Sequence, residues 1–480
     1  MYFDYLDSIT EDSDILSNEN KINTEEKTIA AIATAFGQGS ISVVRISGKD
    51  SKKIASKIFK GKQNIEALGD YQGCYGKIYD TSKKPEIYID EVILLNFNCP
   101  KSYTGEDIIE ISCHGGVFVT KKLLDAVLNA GAVLAQPGEF TKRAFLNGKI
   151  SLTQAEGVMD LISAHSKQSF NIANELKKGN LYKKISYIIE NLITLSGHFT
   201  AWIDFPEEDV AQITEDEIKN VITTALYDLE NLINSFDKGQ IIKNGIKTAI
   251  CGKPNVGKST LMNALTGYEK SIVTDIPGTT RDVIEEQINL RDFTLLISDT
   301  AGVRLTTDKV EAQGVKIAKE KIEASQLILG VFDISRELDQ DDLNILSLAK
   351  DKPFIAIINK NDLETKLDVN IINEYTNSIV YISAKSLFGM ETLEQEIERI
   401  LNLENIDTKA PLIANERQKR CAIEAKDNLK ESLFAINNKM TFDAIAVCVE
   451  NATENLMELT GKNTNEEIIN EVFSKFCVGK

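Results

Sequence analysis

The stretch Ile246-Lys247-Thr248-Ala249-Ile250-Cys251-Gly252-Lys253-Pro254-Asn255-Val256-Gly257-Lys258-Ser259-Thr260-Leu261-Met262-Asn263-Ala264-Leu265 decides how this chain is read. Its first six residues are a short apolar run of strand length, and its last five open a helix. Between them lies G-x-x-x-x-G-K-S. Strand, Gly-rich turn, Lys-Ser and helix together form the context in which that motif cradles a triphosphate. The glycines let backbone N–H groups crowd round phosphate oxygens, and the helix N-terminus adds partial positive charge. In this reading Lys258 reaches the β- and γ-phosphates and Ser259 ligates Mg²⁺. A chance match in an ordinary strand–turn–helix is the competing reading.

Four further signals downstream argue against chance. Pro277-Gly278-Thr279-Thr280-Arg281-Asp282 is a loop in which Thr280 can bring a hydroxyl to Mg²⁺ and the γ-phosphate. Leu295-Leu296-Ile297-Ser298-Asp299-Thr300-Ala301-Gly302 is a strand ending in an Asp that supports Mg²⁺, followed by a Gly whose N–H can sense the γ-phosphate. Phe354-Ile355-Ala356-Ile357-Ile358 is a buried strand that delivers Asn359-Lys360-Asn361-Asp362. Asp362 can accept hydrogen bonds from guanine N1–H and its 2-amino group, whereas adenine would leave it poorly paired. Tyr381-Ile382-Ser383-Ala384-Lys385 offers backbone N–H donors to guanine O6. The order and spacing favour GTP over ATP. Where Ras-type sites carry a water-orienting Gln, this chain has Val303. Arg281 and Arg304 could act as a finger in cis, but charged loop residues are more often solvated. Asn255 offers a side-chain oxygen to a monovalent cation, and the Thr274-Asp275-Ile276-Pro277-Gly278-Thr279 loop could offer more.

Working outward, residues 240–403 alternate strand and helix, as a parallel α/β sheet does. Helical sequence flanks them at 144–239 and 404–480, which suggests an inserted domain inside one discontinuous helical bundle. Independent tandem domains are the alternative. Leu152, Ala155, Val158, Met159 and Ile162 form a core stripe at helical spacing, and Leu181, Ile185, Ile188, Ile189, Leu192, Ile193 and Leu195 form another. Trp202, the only tryptophan, reads as a packing anchor.

Residues 28–143 read as an α+β domain. Ile29–Ala33 and Ile41–Ile46 are strands, Asp50–Lys60 a helix, Tyr71–Tyr79 and Glu86–Asn98 strands. Ile108–Cys113 alternates as a half-buried strand, and Phe118–Ala130 is a helix. Arg45 lies inside an apolar run. Its plainer reading is a strand-edge residue with its head in solvent, and the alternative is an anion-binding arginine. Cys113-His114 reads as a packed thiol and a hydrogen-bonded histidine, since no further metal ligand is near in sequence. Met1–Lys27 is acidic and lacks an apolar core. It reads as a disordered extension and neither a signal nor a transit peptide.

The 480-residue chain is 42% hydrophobic and carries a net charge of −18, so it is no general nucleic-acid binder. Any RNA contact must use a local basic patch or a partner's surface; Arg417-Lys419-Arg420 and Lys183-Lys184 are candidates, although such clusters are more often solvated helix faces. Seven scattered cysteines without a C-x-x-C pair suggest reduced thiols in a cytosol-like compartment. No apolar run has the length of a membrane span.

The motifs together resemble the MnmE (TrmE) family of tRNA-modifying GTPases from Thr28 to Lys480. The likeness is carried by Arg45-Ile46-Ser47-Gly48, Ser102-Tyr103-Thr104-Gly105-Glu106-Asp107, His114-Gly115-Gly116, Pro137-Gly138-Glu139-Phe140, Ala144-Phe145-Leu146-Asn147-Gly148-Lys149, the nucleotide motifs and the terminal Cys477-Val478-Gly479-Lys480. The resemblance implies an N-terminal folate-binding α+β domain that dimerises, a discontinuous helical bundle and an inserted Ras-like P-loop G domain. It implies work with a flavin-containing partner, MnmG, at C5 of the wobble uridine in certain tRNAs. A 5,10-methylene- or 5-formyl-tetrahydrofolate would be the one-carbon donor, held by Arg45, Glu110, Lys149 and Lys480. It further implies K⁺-stimulated hydrolysis, with K⁺ on Asn255, Thr274, Ile276 and Thr279 and with Glu311 orienting water. Spacing alone makes Glu311 only a solvated helix-start residue. Cys477 is implied in the modification chemistry, beside its plain reading as a free terminal thiol. A ribosome-associated, Era-type GTPase shares the nucleotide motifs and is the alternative. The N-terminal domain and Cys-Val-Gly-Lys tail argue against it.

Overall fold

Two apolar runs are buried along their whole length, Leu327–Asp333 (β11) and Phe354–Asn359 (β12), as strands inside a sheet covered on both faces are. The structure is a computed structural model, and it describes residues 27–204, 214–268, 285–290, 292–298, 322–403 and 410–479. The expectations placed on Thr274, Asp275, Ile276, Pro277, Gly278, Thr279, Thr280, Arg281, Asp299, Thr300, Ala301, Gly302, Val303, Arg304, Glu311, Lys480 and the acidic residues 1–26 lie outside the described residues.

β11 and β12 belong to a six-stranded sheet with Ile246–Cys251 (β8), Glu285–Asn289 (β9), Thr294–Ser298 (β10) and Ile379–Tyr381 (β13), in the order β13-β12-β11-β8-β10-β9. All neighbours run parallel except the edge strand β9, which is antiparallel to β10. Side chains alternate between the two faces. Leu327, Leu329, Val331, Ile355 and Ile357 pack with the helices Lys258–Tyr268 and Met390–Ile400. Ile328, Phe332, Ala356 and Ile358 pack with Gln340–Ala349 and Val369–Asn373. Each fully buried Ile or Leu contributes roughly 1.5–3 kcal/mol, so both faces must be covered. In such a doubly wound sheet the loops at the carboxyl ends of the strands gather at one edge, where ligands bind.

The helical segments on either side of this insertion meet. Glu215–Asn234, started by a Thr214–Glu217 capping box, packs against Glu416–Asn437. Lys430 pairs with Glu230 at 3.1 Å, and Ile413 N–H donates to Ser235 Oγ at 3.4 Å. Gly239 lies so close to the Ile413 carbonyl that a Cβ would come within 2.8 Å of it. Trp202 packs against the rings of Phe199 and Phe442.

By contacts the chain divides into two compact units. One holds the residues up to Met159, Ile185–Ser196 and Glu450–Lys480; the other holds Asp160–Lys184 and Gly197–Val449. The first contains a seven-stranded sheet built from Ile29–Ile32 (β1), Ile41–Ser47 (β2), Phe59–Gly61 (β3), Gln72–Asp80 (β4), Ile87–Phe97 (β5), Ile108–His114 (β6) and Val133–Leu134 (β7). The order is β3-β4-β5-β6-β2-β1-β7, antiparallel apart from β1 with β7. Ser51–Ile58 and Val117–Asn129 cover one face with Ile46, Ile78, Leu94 and Ile111. The expected helix to Lys60 stops at Ile58, because Phe59–Gly61 pairs with β4 and buries Phe59. On the opposite face Ala31, Arg45, Glu110 and Leu95 lie in one cross-strand row, and Phe140 packs there against Ile29 and Ala31. Among the described residues no helix is long and apolar enough to cross a membrane.

Candidate functional site: a nucleotide loop cluster and an arginine–glutamate cluster

The loop after β8 is held from beneath. Val256 is 1% exposed and packs into the sheet's core, so the loop's centre is anchored while Asn255 and Ser259 stay exposed. Gly252 (φ +150°) passes so close to β11 that a Cβ would lie 2.5 Å from the Val331 carbonyl. Gly257 (φ +103°) would place a Cβ 2.2 Å from Asn359 Nδ2. Asn255 is itself left-handed, with φ +67°, a conformation Asn tolerates better than most side chains. Lys258 Nζ donates to the carbonyls of Gly252 and Lys253, each at 2.7 Å. Burial pushes its pKa down, so an anion in the loop would both replace these acceptors and favour the charged ammonium.

The loop after β12 is joined to the first through Asn359, which is 2% exposed. Its Nδ2 donates to the Val256 carbonyl at 2.8 Å, and its Oδ1 accepts from Ala384 N–H at 3.1 Å. Of the backbone N–H groups that the Tyr381–Lys385 segment was expected to offer guanine O6, that of Ala384 thus donates to Asn359 in this structure. Asn361 N–H donates to the Ile382 carbonyl at 3.0 Å. Ser383 Oγ donates to Asp362 Oδ1 at 2.8 Å, and this bond holds the Asp362 carboxyl below the usual carboxylate range, with Lys385 and Lys360 adding to the effect. Lys360 (φ +66°) reaches back to the Asn255 carbonyl at 3.0 Å. The fold therefore gathers Gly252–Thr260, Asn359–Asp362 and Ser383–Lys385 at one edge of the sheet. Sequence reasoning passed over Asp333. Its signal was a carboxylate closing an otherwise apolar strand, and its partner is Lys360 Nζ at 2.5 Å.

In the other unit Arg45 and Glu110 sit opposite each other on β2 and β6. Arg45 Nε and Nη2 both donate to Glu110 Oε1, at 2.8 and 2.7 Å. The guanidinium carbon lies 5.6 Å from the Tyr103 ring and 5.5 Å from the Phe140 ring. The side chain is only 14% exposed, which corrects the plainer reading of a head in solvent: its charge is matched across the sheet and flanked by aromatic faces. Arg45 Nη1 is 3.5 Å from the Gly479 carbonyl. The C-terminal tail is fastened here. Gly138 N–H donates to the Cys477 carbonyl at 3.3 Å, and Gly479 (φ +96°) is so near β1 that a Cβ would meet the Ile32 carbonyl at 2.1 Å. Cys477 is exposed. Lys149 Nζ donates to the Pro100 carbonyl at 3.1 Å, and burial lowers its pKa.

A second ion network, not foreseen from sequence, supports this face. Arg143 Nη1 donates to Glu106 Oε1 and Nη2 to Glu139 Oε1, each at 2.9 Å. Ser47 Oγ donates to Glu106 Oε2 at 2.6 Å and is hydrogen-bonded to Thr104 Oγ1 at 2.8 Å. Cys113 is packed, and His114 Nδ1 is 2.8 Å from Asp90 Oδ1. Among the described residues no group of three His, Cys, Asp or Glu could hold a metal ion.

A doubly wound parallel sheet, a phosphate loop after β8 and a base-reading loop after β12 define a P-loop GTPase domain. The family description "GTP-binding protein TrmE N-terminus" matches residues 28–149, and "MnmE helical domain" matches residues 152–477. The curated tRNA modification GTPase MnmE of Natranaerobius thermophilus is 42% identical over 95% of this chain and 100% of its own length. Those of Alkaliphilus oremlandii and Clostridioides difficile are 41% and 42% identical, each over 95% of this chain and 99% of its own. The chain belongs to the MnmE (TrmE) family.

Proposed function

We propose that the chain is a K⁺-stimulated GTP hydrolase that acts with an MnmG-like, FAD-containing subunit. Together they install a (carboxy)methylaminomethyl group at C5 of the wobble uridine in certain tRNAs, drawing one carbon from a tetrahydrofolate derivative. The observation that carries the GTP reading is Asn359, which opens the base loop after β12 and ties it to the phosphate loop at Val256 and to the Ser383–Lys385 loop at Ala384, at one edge of the sheet. The tRNA reading is supported by relatives of that printed name along nearly the whole chain.

In this reading residues 28–143 bind folate and dimerise, 240–403 bind GTP, and 144–239 with 404–480 form the helical domain of a cytoplasmic enzyme. Lys258 leaves its backbone acceptors for the β- and γ-phosphates. Asp362, ionised and steadied by Ser383, accepts from guanine. Thr280 contacts the γ-phosphate and Glu311 orients the attacking water. Ser259 and Thr280 would hold Mg²⁺; Asn255, Thr274, Ile276 and Thr279 would hold K⁺. The exposed oxygen donors at Ser259 and Asn255 suit such hard cations. When bound, Mg²⁺ would supply positive charge against the β- and γ-phosphate oxygens, and K⁺ would supply the charge that an arginine finger gives elsewhere. Arg45, Glu110, Lys149 and Lys480 bind folate, Glu110 accepting from the pterin and the cations facing the glutamyl tail. Cys477 takes part in the modification chemistry.

Nucleoside analysis of tRNA from a deletion strain should show loss of the wobble-uridine modification; an unchanged profile refutes the reading. GTPase rates that are equal in K⁺ and Na⁺ refute the cation part. Calorimetry that shows no binding of 5-formyltetrahydrofolate refutes the folate part.

A further inference from the structure

We propose that Asp333 is a positioning residue for the guanine nucleotide, acting through Lys360 to hold the base loop and the phosphate loop at a fixed separation. The inference rests on the guanine-nucleotide reading above. Asp333 ends β11 and is 6% exposed, so its carboxylate needs partners. Oδ1 accepts from Ser335 N–H at 3.0 Å and from Ser335 Oγ at 2.7 Å. Oδ2 accepts from Lys360 Nζ at 2.5 Å, with Arg336 Nε at 3.4 Å. The same ammonium donates to the Asn255 carbonyl at 3.0 Å. One Lys360 nitrogen thus joins three elements: the end of β11, the loop after β12 that carries Asp362, and the crest of the phosphate loop. Burial works against the Asp333 charge, yet the bonds from Lys360 and Ser335 hold its carboxyl below the usual range.

The backbone makes this ammonium more than a surface ion pair. Lys360 and Asn255 both adopt left-handed conformations, which non-glycine residues keep only where surrounding contacts fix them. The bond from Nζ to the Asn255 carbonyl spans the two, and Asp333 fixes where Nζ lies. A second ion pair acts at the other end of the loop, where Lys253 pairs with Asp339, the N-cap of Gln340–Ala349. The acidic segment after β11 therefore grips the phosphate loop on both sides of Pro254.

The test uses the full chain and a fluorescent GDP analogue. Asp333→Asn keeps the shape and removes the charge, and should weaken binding about 10- to 100-fold, the effect of one charge-assisted bond. Lys360→Met should weaken it at least as much. In the Lys360→Met background Asp333→Asn should have no further effect, because its route is gone; a merely structural role would give additive losses. Asp333→Glu should recover part of the affinity. Wild type that binds normally while Asp333→Asn stays within twofold overturns the positioning role alone. If Asp333 variants do not fold, Lys360→Met decides the question, and wild-type affinity in that variant overturns the proposal. Wild type that does not bind the analogue overturns the guanine-nucleotide reading itself.

Discussion

Removing the Asn359 side chain is the most informative single perturbation of the nucleotide site. Asn359→Ala deletes two hydrogen bonds, to the Val256 carbonyl and from Ala384 N–H. Val256 and Ala384 are 1% and 4% exposed, so both backbone groups lose partners in a largely dry setting. Two net hydrogen bonds contribute about 2 kcal/mol, and leaving a buried group unpaired costs about 1–3 kcal/mol. Water entering the vacated space recovers part of this, leaving about 2–4 kcal/mol against the joined loops. Nucleotide binds only the joined arrangement, so the apparent dissociation constant rises as that state is depopulated. The ceiling is about 30- to 700-fold at 1.4 kcal/mol per decade. We expect at least a tenfold loss of GDP-analogue affinity by fluorescence titration. Asn359→Asp keeps an acceptor for Ala384 N–H but sets a carboxylate against the Val256 carbonyl, and should bind no better than the alanine variant. Affinity of Asn359→Ala within threefold of wild type would refute the idea that this side chain couples the loops.

Three further expectations follow from distances already given. Gly479→Ala puts a Cβ 2.1 Å from the Ile32 carbonyl at φ +96°, so the tail must lift from β1. Calorimetry should show 5-formyltetrahydrofolate affinity down by roughly tenfold or more while GDP binding is unchanged. Glu110→Gln leaves the Arg45 charge without a full counter-charge at 14% exposure. Thermal unfolding should register a loss of about 1–3 kcal/mol, discounted for that exposure, and Arg45→Met in the same chain should recover part of it. Asp362 has a depressed pKa, so its ionised form survives as pH falls through the ordinary carboxylate range near 3.9 and is lost only below it. Asp362 should add no titration of its own to GDP-analogue affinity between about pH 8 and 5, where only the ligand's terminal phosphate, with a second pKa of about 6, titrates. Ser383→Ala, which removes the bond that lowers the pKa, should move the carboxyl's own titration upward by NMR. An unmoved titration would show that Ser383 does not set it.

The strand–turn–helix at Ile246–Leu265, the alternating strand Ile108–Cys113, the buried apolar run Phe354–Ile358 and the helical flanks were legible in sequence because each is a local pattern. Period two marks a strand with two unlike faces, and G-x-x-x-x-G-K-S compresses a binding loop into consecutive residues. The strand end at Phe59–Gly61 was not legible. Its edge pairing is with β4, more than ten residues on, and that contact overrides the local helical preference.

Sequence by itself determined the order of the elements and the chemical types present: a G-x-x-x-x-G-K-S loop between strand and helix, an Asn-Lys-Asn-Asp loop after a buried strand, an arginine in an apolar strand, a Cys-Val-Gly-Lys tail. Only the tertiary structure decided their partners. Arg45 meets Glu110 65 positions away and Gly479 434 positions away, and Asn359 meets Val256 across 103. Those pairings follow from strand register and from close approaches of backbone to backbone. A periodic pattern reports which face a side chain takes, but a charge inside an apolar run becomes a solvated head or a matched pair only when the neighbouring strand arrives.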